Sequence, residues 1–105
     1  MDENLIALRR WLIKASTEFL RAQRTYLDAT APSAGIPQSA VKETAKQYLK
    51  AAESYDAALQ GLRKYLLAAE PSEAIVAELK RTERLVDVLD KKKKVCSKLI
   101  ALHEN

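Results

Sequence analysis

The residues VKETAKQYLKAAESYDAALQGLRKYLLAA, at positions 41–69, decide the fold of this chain. Apolar or small side chains recur there at alternating steps of four and three: Val41, Ala45, Tyr48, Ala52, Tyr55, Leu59, Leu62, Leu66 and Ala69. Such a repeat averages about 3.5 residues, which is the period of a helix in a coiled coil and not of a strand. The stretch therefore predicts one long helix that is buried along one side.

The preceding segment, from about residue 3 to residue 29, shows the same repeat. Its main row consists of Leu5, Leu8, Leu12, Ala15, Phe19, Ala22, Tyr26 and Ala29. Beside it runs a second row with a spacing of seven: Ile6, Ile13, Leu20 and Leu27. An apolar face of this width exceeds what one neighbouring helix covers. We therefore expect the first helix to pack between two others.

A third periodic segment follows near the C-terminal end of the chain. Its main row is Ile75, Leu79, Thr82, Val86, Leu89, Lys93, Cys96 and Ile100. A flanking row contains Leu85, Val88, Lys92, Val95, Leu99 and Leu102. Lys92 and Lys93 interrupt the two rows, but the period of seven continues through them, which predicts a third helix.

Prolines separate the three segments. Pro32 and Pro37, with Gly35 between them, are expected to stop the first helix and delay the second. Ser39 is the expected N-cap of the second helix, and Pro71 is expected in the first turn of the third. The short link around Pro71 favours an antiparallel return. The sequence thus predicts one all-α domain over residues 1–105, with helices at about 3–29, 39–69 and 71–102. Its architecture is an antiparallel up-down-up three-helix bundle with long helices and left-handed coiled-coil packing.

Composition argues against most kinds of chemistry. A lone cysteine, Cys96, cannot form an internal disulfide, and a lone histidine, His103, cannot build a conventional structural zinc site. The sequence has no Gly-rich phosphate loop and no Ser-His-Asp order. We expect no enzymatic activity, no cofactor and no metal. An apolar run of the ~18 residues that span a bilayer is absent, and the opening Met1-Asp2-Glu3 is unlike a secretory signal. A cytoplasmic location is the expectation.

Charge offers one candidate site. Lys and Arg number 18 against 14 Asp and Glu, which gives a net charge of +4. The last third of the chain carries the excess, in the candidate anion-binding residues Lys80, Arg81, Arg84, Lys91, Lys92, Lys93 and Lys94. These residues can contact phosphates of nucleic acid or of an anionic membrane. The alternative is a solvated helix, because four consecutive residues encircle a helix and do not form one patch.

Aromatic and reactive residues offer fewer signals. Trp11 and Tyr65 border the apolar rows and are candidate partner-binding residues. Tyr48 and Tyr55 lie on the main row, where core packing is the expected role. Cys96 is interpreted as a small buried apolar residue. We expect His103 to lie in a fraying last turn, without a catalytic partner.

The chain resembles a spectrin repeat. The resemblance rests on Trp11, followed by Leu12 and Ile13, in the first helix, and on the stretch from Gly35 to Val41 that opens the second. The spacing of the apolar residues Ile75, Leu79, Val86 and Leu89 also matches that of the core positions in the third helix of the family. The resemblance covers the whole chain and implies a structural spacer or docking module without catalytic residues.

Three functions remain open at this point. The first is an interaction or scaffold module that presents a helix face or groove to another protein, for example to an amphipathic helix as in microtubule-interacting-and-transport adaptors. The second is a basic module that binds nucleic acid or anionic lipid through the Lys91–Lys94 region. The third is a small helical export chaperone or trafficking adaptor. A monomer and a homodimer, in which the spare apolar rows pack against a second copy, are both compatible with the sequence.

Overall fold

The computed structural model describes residues 2–104 and contains three long helices. They are α1 (Glu3–Ala29), α2 (Gln38–Ala68) and α3 (Glu73–Leu102). They lie along a rod with extents of 52 × 22 × 17 Å, and α2 packs against both α1 and α3. The prediction of an all-α, up-down-up three-helix bundle is confirmed.

The first residues of α2 and α3 differ from the predicted ones, and in both cases the difference lies next to a proline. At the start of α2, Pro37 occupies the N-cap position, and its carbonyl accepts from the backbone N–H groups of Ala40 and Val41. The predicted N-cap, Ser39, lies inside the helix, so that prediction is wrong. At α3 the hydroxyl of Ser72 accepts from the backbone N–H of Ile75 at 3.2 Å. Pro71 therefore precedes the helix and does not lie in its first turn.

The core follows the main apolar rows and is centred on α2. Eight side chains of α2 are buried: Val41, Ala45, Tyr48, Ala52, Ala58, Leu59, Leu62 and Leu66. From α1, Phe19 packs with ring-centroid distances of 5.6 Å to both Tyr48 and Tyr55. From α3, Leu89 and Cys96 complete the same cluster. Both tyrosines thus pack in the core region, as predicted.

The first helix does not pack closely between two others. No Cα atom of α1 lies within 8 Å of a Cα atom of α3, although helices in ordinary contact have axes only ~8–10 Å apart. As a result, Ile13, Leu20 and Leu27 of the second row keep 59–65% of their surface exposed. The expectation that this row is covered by a neighbouring helix is wrong, because α2 accounts for all the close backbone packing of α1.

Candidate functional site

Two rows of exposed apolar side chains lie beside each other along the gap between α1 and α3. On α1 they are Ile13, Leu20 and Leu27, and on α3 they are Leu85, Val88, Val95 and Leu102. We call this surface the α1–α3 face. Nearly half of the surface of Val88 and Val95 is open to solvent, as is more than half of each residue of the α1 row. An extended apolar surface of this kind is typical of an interaction site.

Contacts between the helices show that both rows point to the same side. The guanidinium of Arg9 on α1 donates to the carboxylate of Glu78 on α3, with Nη2 3.0 Å from Oε2. Ile13 lies one turn after Arg9, and Leu85 lies two turns after Glu78, so both border the gap that this ion pair crosses. The opposite side of α1 faces α2, since Trp11 contacts Gly61 there. The α1–α3 face therefore lies away from α2.

Side chains connect α1 with α3 at both ends of the gap. Near the start of both helices the connection is the Arg9–Glu78 ion pair, and near their ends it is the hydroxyl of Tyr26, 3.0 Å from Nε2 of His103. The other ring nitrogen of His103, Nδ1, lies 2.8 Å from Nε2 of Gln38. His103 is thus held by two hydrogen bonds, where the sequence suggested a fraying turn.

The charges that border the α1–α3 face are all of one sign. We consider every position three or four residues away from an apolar residue of the face, because these positions are its neighbours on the helix surface. The charged residues found there are Arg9, Arg10, Arg24, Arg81, Arg84, Lys91, Lys92 and Lys98. No aspartate or glutamate occupies such a position within residues 2–104. The face is an apolar strip with cationic borders.

The basic residues singled out from the sequence do not share one surface. Arg81, Arg84, Lys91 and Lys92 border the α1–α3 face. The remaining three lie elsewhere: Lys80 lines a shallow cavity at the start of α3, Lys93 pairs with Asp56 of α2, and Lys94 pairs with Asp90. The tetralysine therefore does not form one patch. Its role in anion binding stays a prediction.

Trp11 and Tyr65 lie on the opposite side, along the contact between α1 and α2. Trp11 is 45% exposed and packs over Gly61, which has no side chain to displace the indole. The Tyr65 hydroxyl donates to the carboxylate of Asp2, and this bond lowers the pKa of Asp2 and raises the pKa of Tyr65. Neither residue borders the α1–α3 face, and partner binding by them stays a prediction.

One cavity of about 430 Å³ opens on the surface between α1 and α2. Small side chains such as Ala22 and Ala40 create it, and charged residues including Glu18, Arg21 and Glu43 surround it. None of its lining residues is a cysteine or a histidine. It is a groove between helices α1 and α2.

The cysteine of the chain is buried, and possible metal ligands do not cluster within residues 2–104. Cys96 is fully buried, and burial raises the pKa of its thiol to about 11, so it is a protonated core residue at neutral pH. Within residues 2–104, no three His, Cys, Asp or Glu side chains converge on a point where a metal ion can bind. In the same residues, no helix combines the length and the hydropathy that crossing a bilayer requires.

Comparisons of the chain with protein families, with curated proteins and with solved structures yield no match. The geometry of the α1–α3 face is therefore the main guide to function. Both rows of this face are visible in the sequence as heptad repeats, but the α1 row was expected to lie inside the bundle. The signal that could have located the face was the border of these rows, where every charged residue is a cation.

Proposed function

We propose that this chain is a non-enzymatic protein-interaction module that binds a helix of a partner protein on the α1–α3 face. The observation that carries this proposal is that α1 and α3 do not pack closely against each other and carry exposed apolar rows on both sides of the gap between them. A helix seated on these rows would contact α1 and α3 and complete a four-helix bundle. The α1–α3 face thus corresponds to the position of a missing fourth helix.

The energetics favour such an occupant. Burying a Val, Leu or Ile side chain completely contributes about 1.5–3 kcal/mol. The seven residues of the face retain between 38% and 69% of their surface in water, so covering them would contribute on the order of 1 kcal/mol each. That sum is large enough to offset a substantial part of the cost of association.

The resemblance to spectrin repeats supports the same proposal, because that family consists of structural and docking modules with long helices. The microtubule-interacting-and-transport type of adaptor, which accepts an amphipathic helix between its own helices, offers a second parallel. Roles as a scaffold, as a trafficking adaptor or as an export chaperone are all compatible with a helix-binding face. In each of these roles the chain would be a binding protein without a substrate.

Affinity capture from the source cells, compared across variants, tests the proposal. The face variant carries Leu20→Gln and Val95→Gln, which remove apolar surface from both rows. The matched control carries Leu67→Gln and Val76→Gln, which replace apolar residues of similar exposure outside the face. We expect proteins captured by the wild type to be retained by the control and lost by the face variant. Equal capture by all three proteins, each shown to be folded by circular dichroism, would contradict the proposal.

A further inference from the structure

We infer that the helix accepted by the α1–α3 face is an acidic amphipathic helix, with an apolar ridge flanked on both sides by Asp or Glu. This inference rests on the proposed function and specifies the chemistry of the partner. It follows from the borders of the face, since every charged residue three or four positions from its apolar side chains is Lys or Arg. Carboxylates on the flanks of a bound helix would lie opposite these cations.

Most of these cations have no carboxylate partner in the folded chain. Arg9 pairs with Glu78, and Nε of Arg24 lies 3.9 Å from Oδ2 of Asp28. For the other border residues, no carboxylate of residues 2–104 comes within 4 Å: these are Arg10, Arg81, Arg84, Lys91, Lys92 and Lys98. Elsewhere on the bundle, Arg63 and Lys93 have acidic partners on a neighbouring helix, whereas exposed lysines such as Lys46 and Lys64 have none within 4 Å among residues 2–104. Six of the eight cations that border the apolar strip therefore have no ion-pair partner within the described residues.

The geometry of the rows sets the size of the bound helix. Ile13 to Leu27 and Val88 to Leu102 each cover 14 residue steps, or about 21 Å at ~1.5 Å per residue. Both rows repeat every seven residues, which is the spacing with which a helix meshes in coiled-coil packing. A partner segment of about four turns, with apolar residues in heptads, matches this surface.

Other occupants fit the same surface less well. A second copy of this chain would bring two sets of unpaired cations together. An anionic membrane would meet the cations and the leucines, but it has no regular spacing of side chains to match rows that repeat every seven residues, whereas a helix has. Nucleic acid would leave the apolar strip between the cations without a partner, because phosphates contact only the charged borders.

Two synthetic helices test the inference with purified protein. Both probes have about three heptads with identical leucine ridges, and they differ only in flanks of Glu or of Lys. Binding is measured by fluorescence anisotropy at about 50 mM and about 150 mM salt, since screening weakens exposed charge pairs. We expect the acidic probe to bind at least about tenfold more tightly than the basic one, with a smaller difference at the higher salt. The Leu20→Gln and Val95→Gln variant is expected to lose this binding.

Charge reversal at the border gives an independent test that leaves the apolar strip intact. Arg84→Glu with Lys91→Glu is expected to weaken binding of the acidic probe at least about fivefold and to strengthen binding of the basic probe. The matched control, Lys46→Glu with Lys64→Glu, changes the net charge equally on the exposed side of α2 and is expected to leave both affinities unchanged. An equal effect of the two pairs would overturn the inference, because only overall charge would then matter.

Three further results would overturn the inference. The first is that both probes bind equally or that neither binds. The second is that the protein sediments as a dimer and that Leu20→Gln with Val95→Gln makes it a monomer. The third is that the protein attaches to phosphatidylserine vesicles and that the same variant does not. If the face variant still loses its partners in the capture experiment while the two probes bind alike, the interaction module stands and only the acidic partner fails. If capture does not depend on the face, the proposed function itself fails.

Discussion

The ammonium group of Lys93 on α3 lies 2.9 Å from Oδ2 of Asp56 on α2. Lys93 occupies a main-row position of α3, between the buried residues Leu89 and Cys96, where the heptad repeat favours an apolar side chain. The bond to Asp56 raises the pKa of Lys93 above its usual 10.5. A charge at this core-facing position is thus tolerated because a partner on the neighbouring helix holds it.

Removing the partner of Lys93 should destabilise the bundle. We expect Asp56→Ala to lower the free energy of unfolding by about 1–2 kcal/mol, because a half-buried ammonium loses a charged hydrogen bond. Asp90→Ala, which removes the exposed partner of Lys94, should cost less than about 0.5 kcal/mol. Urea unfolding of both variants measures the difference. Since the pKa of Lys93 is raised on folding, the contribution is complete below pH 10.5 and disappears as the pH rises through the pKa of the folded state.

Replacing a side chain of α2 by alanine should lower the free energy of unfolding much more at a buried position than at an exposed one. Leu59 has no exposed surface, and we expect Leu59→Ala to cost about 2–5 kcal/mol because it leaves a cavity. Lys50 is exposed, and Lys50→Ala should change stability by less than about 0.5 kcal/mol. Equal shifts of the urea midpoint for the two variants would contradict the assignment of the buried side of this helix.

The contact between Gly61 and Trp11 predicts a packing defect. A Cβ atom at position 61 would lie 3.2 Å from Cζ3 of Trp11 and 3.3 Å from Cδ2 of Leu8. We expect Gly61→Val to destabilise the bundle by about 1–2 kcal/mol, although valine favours helix more than glycine does. The emission of Trp11, the one tryptophan, should shift as the indole is displaced. Gln60→Val at the exposed neighbouring position is the control, and an unchanged emission spectrum in both variants would contradict this packing.

Burial of Cys96 predicts low reactivity of its thiol. The side chain is fully buried, and its pKa is raised to about 11, so little thiolate exists at pH 8. We expect Ellman's reagent to react with Cys96 slowly in the native protein and within seconds in concentrated urea, where the pKa returns to its ordinary value of about 8.5. Fast reaction without urea would show that α3 opens away from the core.

Most of the core could be predicted from the spacing of apolar residues. Phe19, Tyr48 and Leu59 lie on main rows, and all three are buried. The helix ends were harder to predict, because several residues near an end can act as the cap. Pro37, with only its carbonyl to offer, occupies the N-cap position of α2, and the hydroxyl of Ser39 does not cap the helix.

The sequence by itself determined that three amphipathic helices form, which of their sides are apolar, and that the charged residues three or four positions from the seven apolar residues of the α1–α3 face are all cations. These properties are local, since a helix fixes the direction of each side chain relative to its neighbours one turn away. Only the tertiary structure decided whether the secondary rows would be covered. Leu20 and Val95 stay exposed because α1 and α3 both pack against α2 and keep apart from each other, and the distance between two helices depends on all the side chains between them.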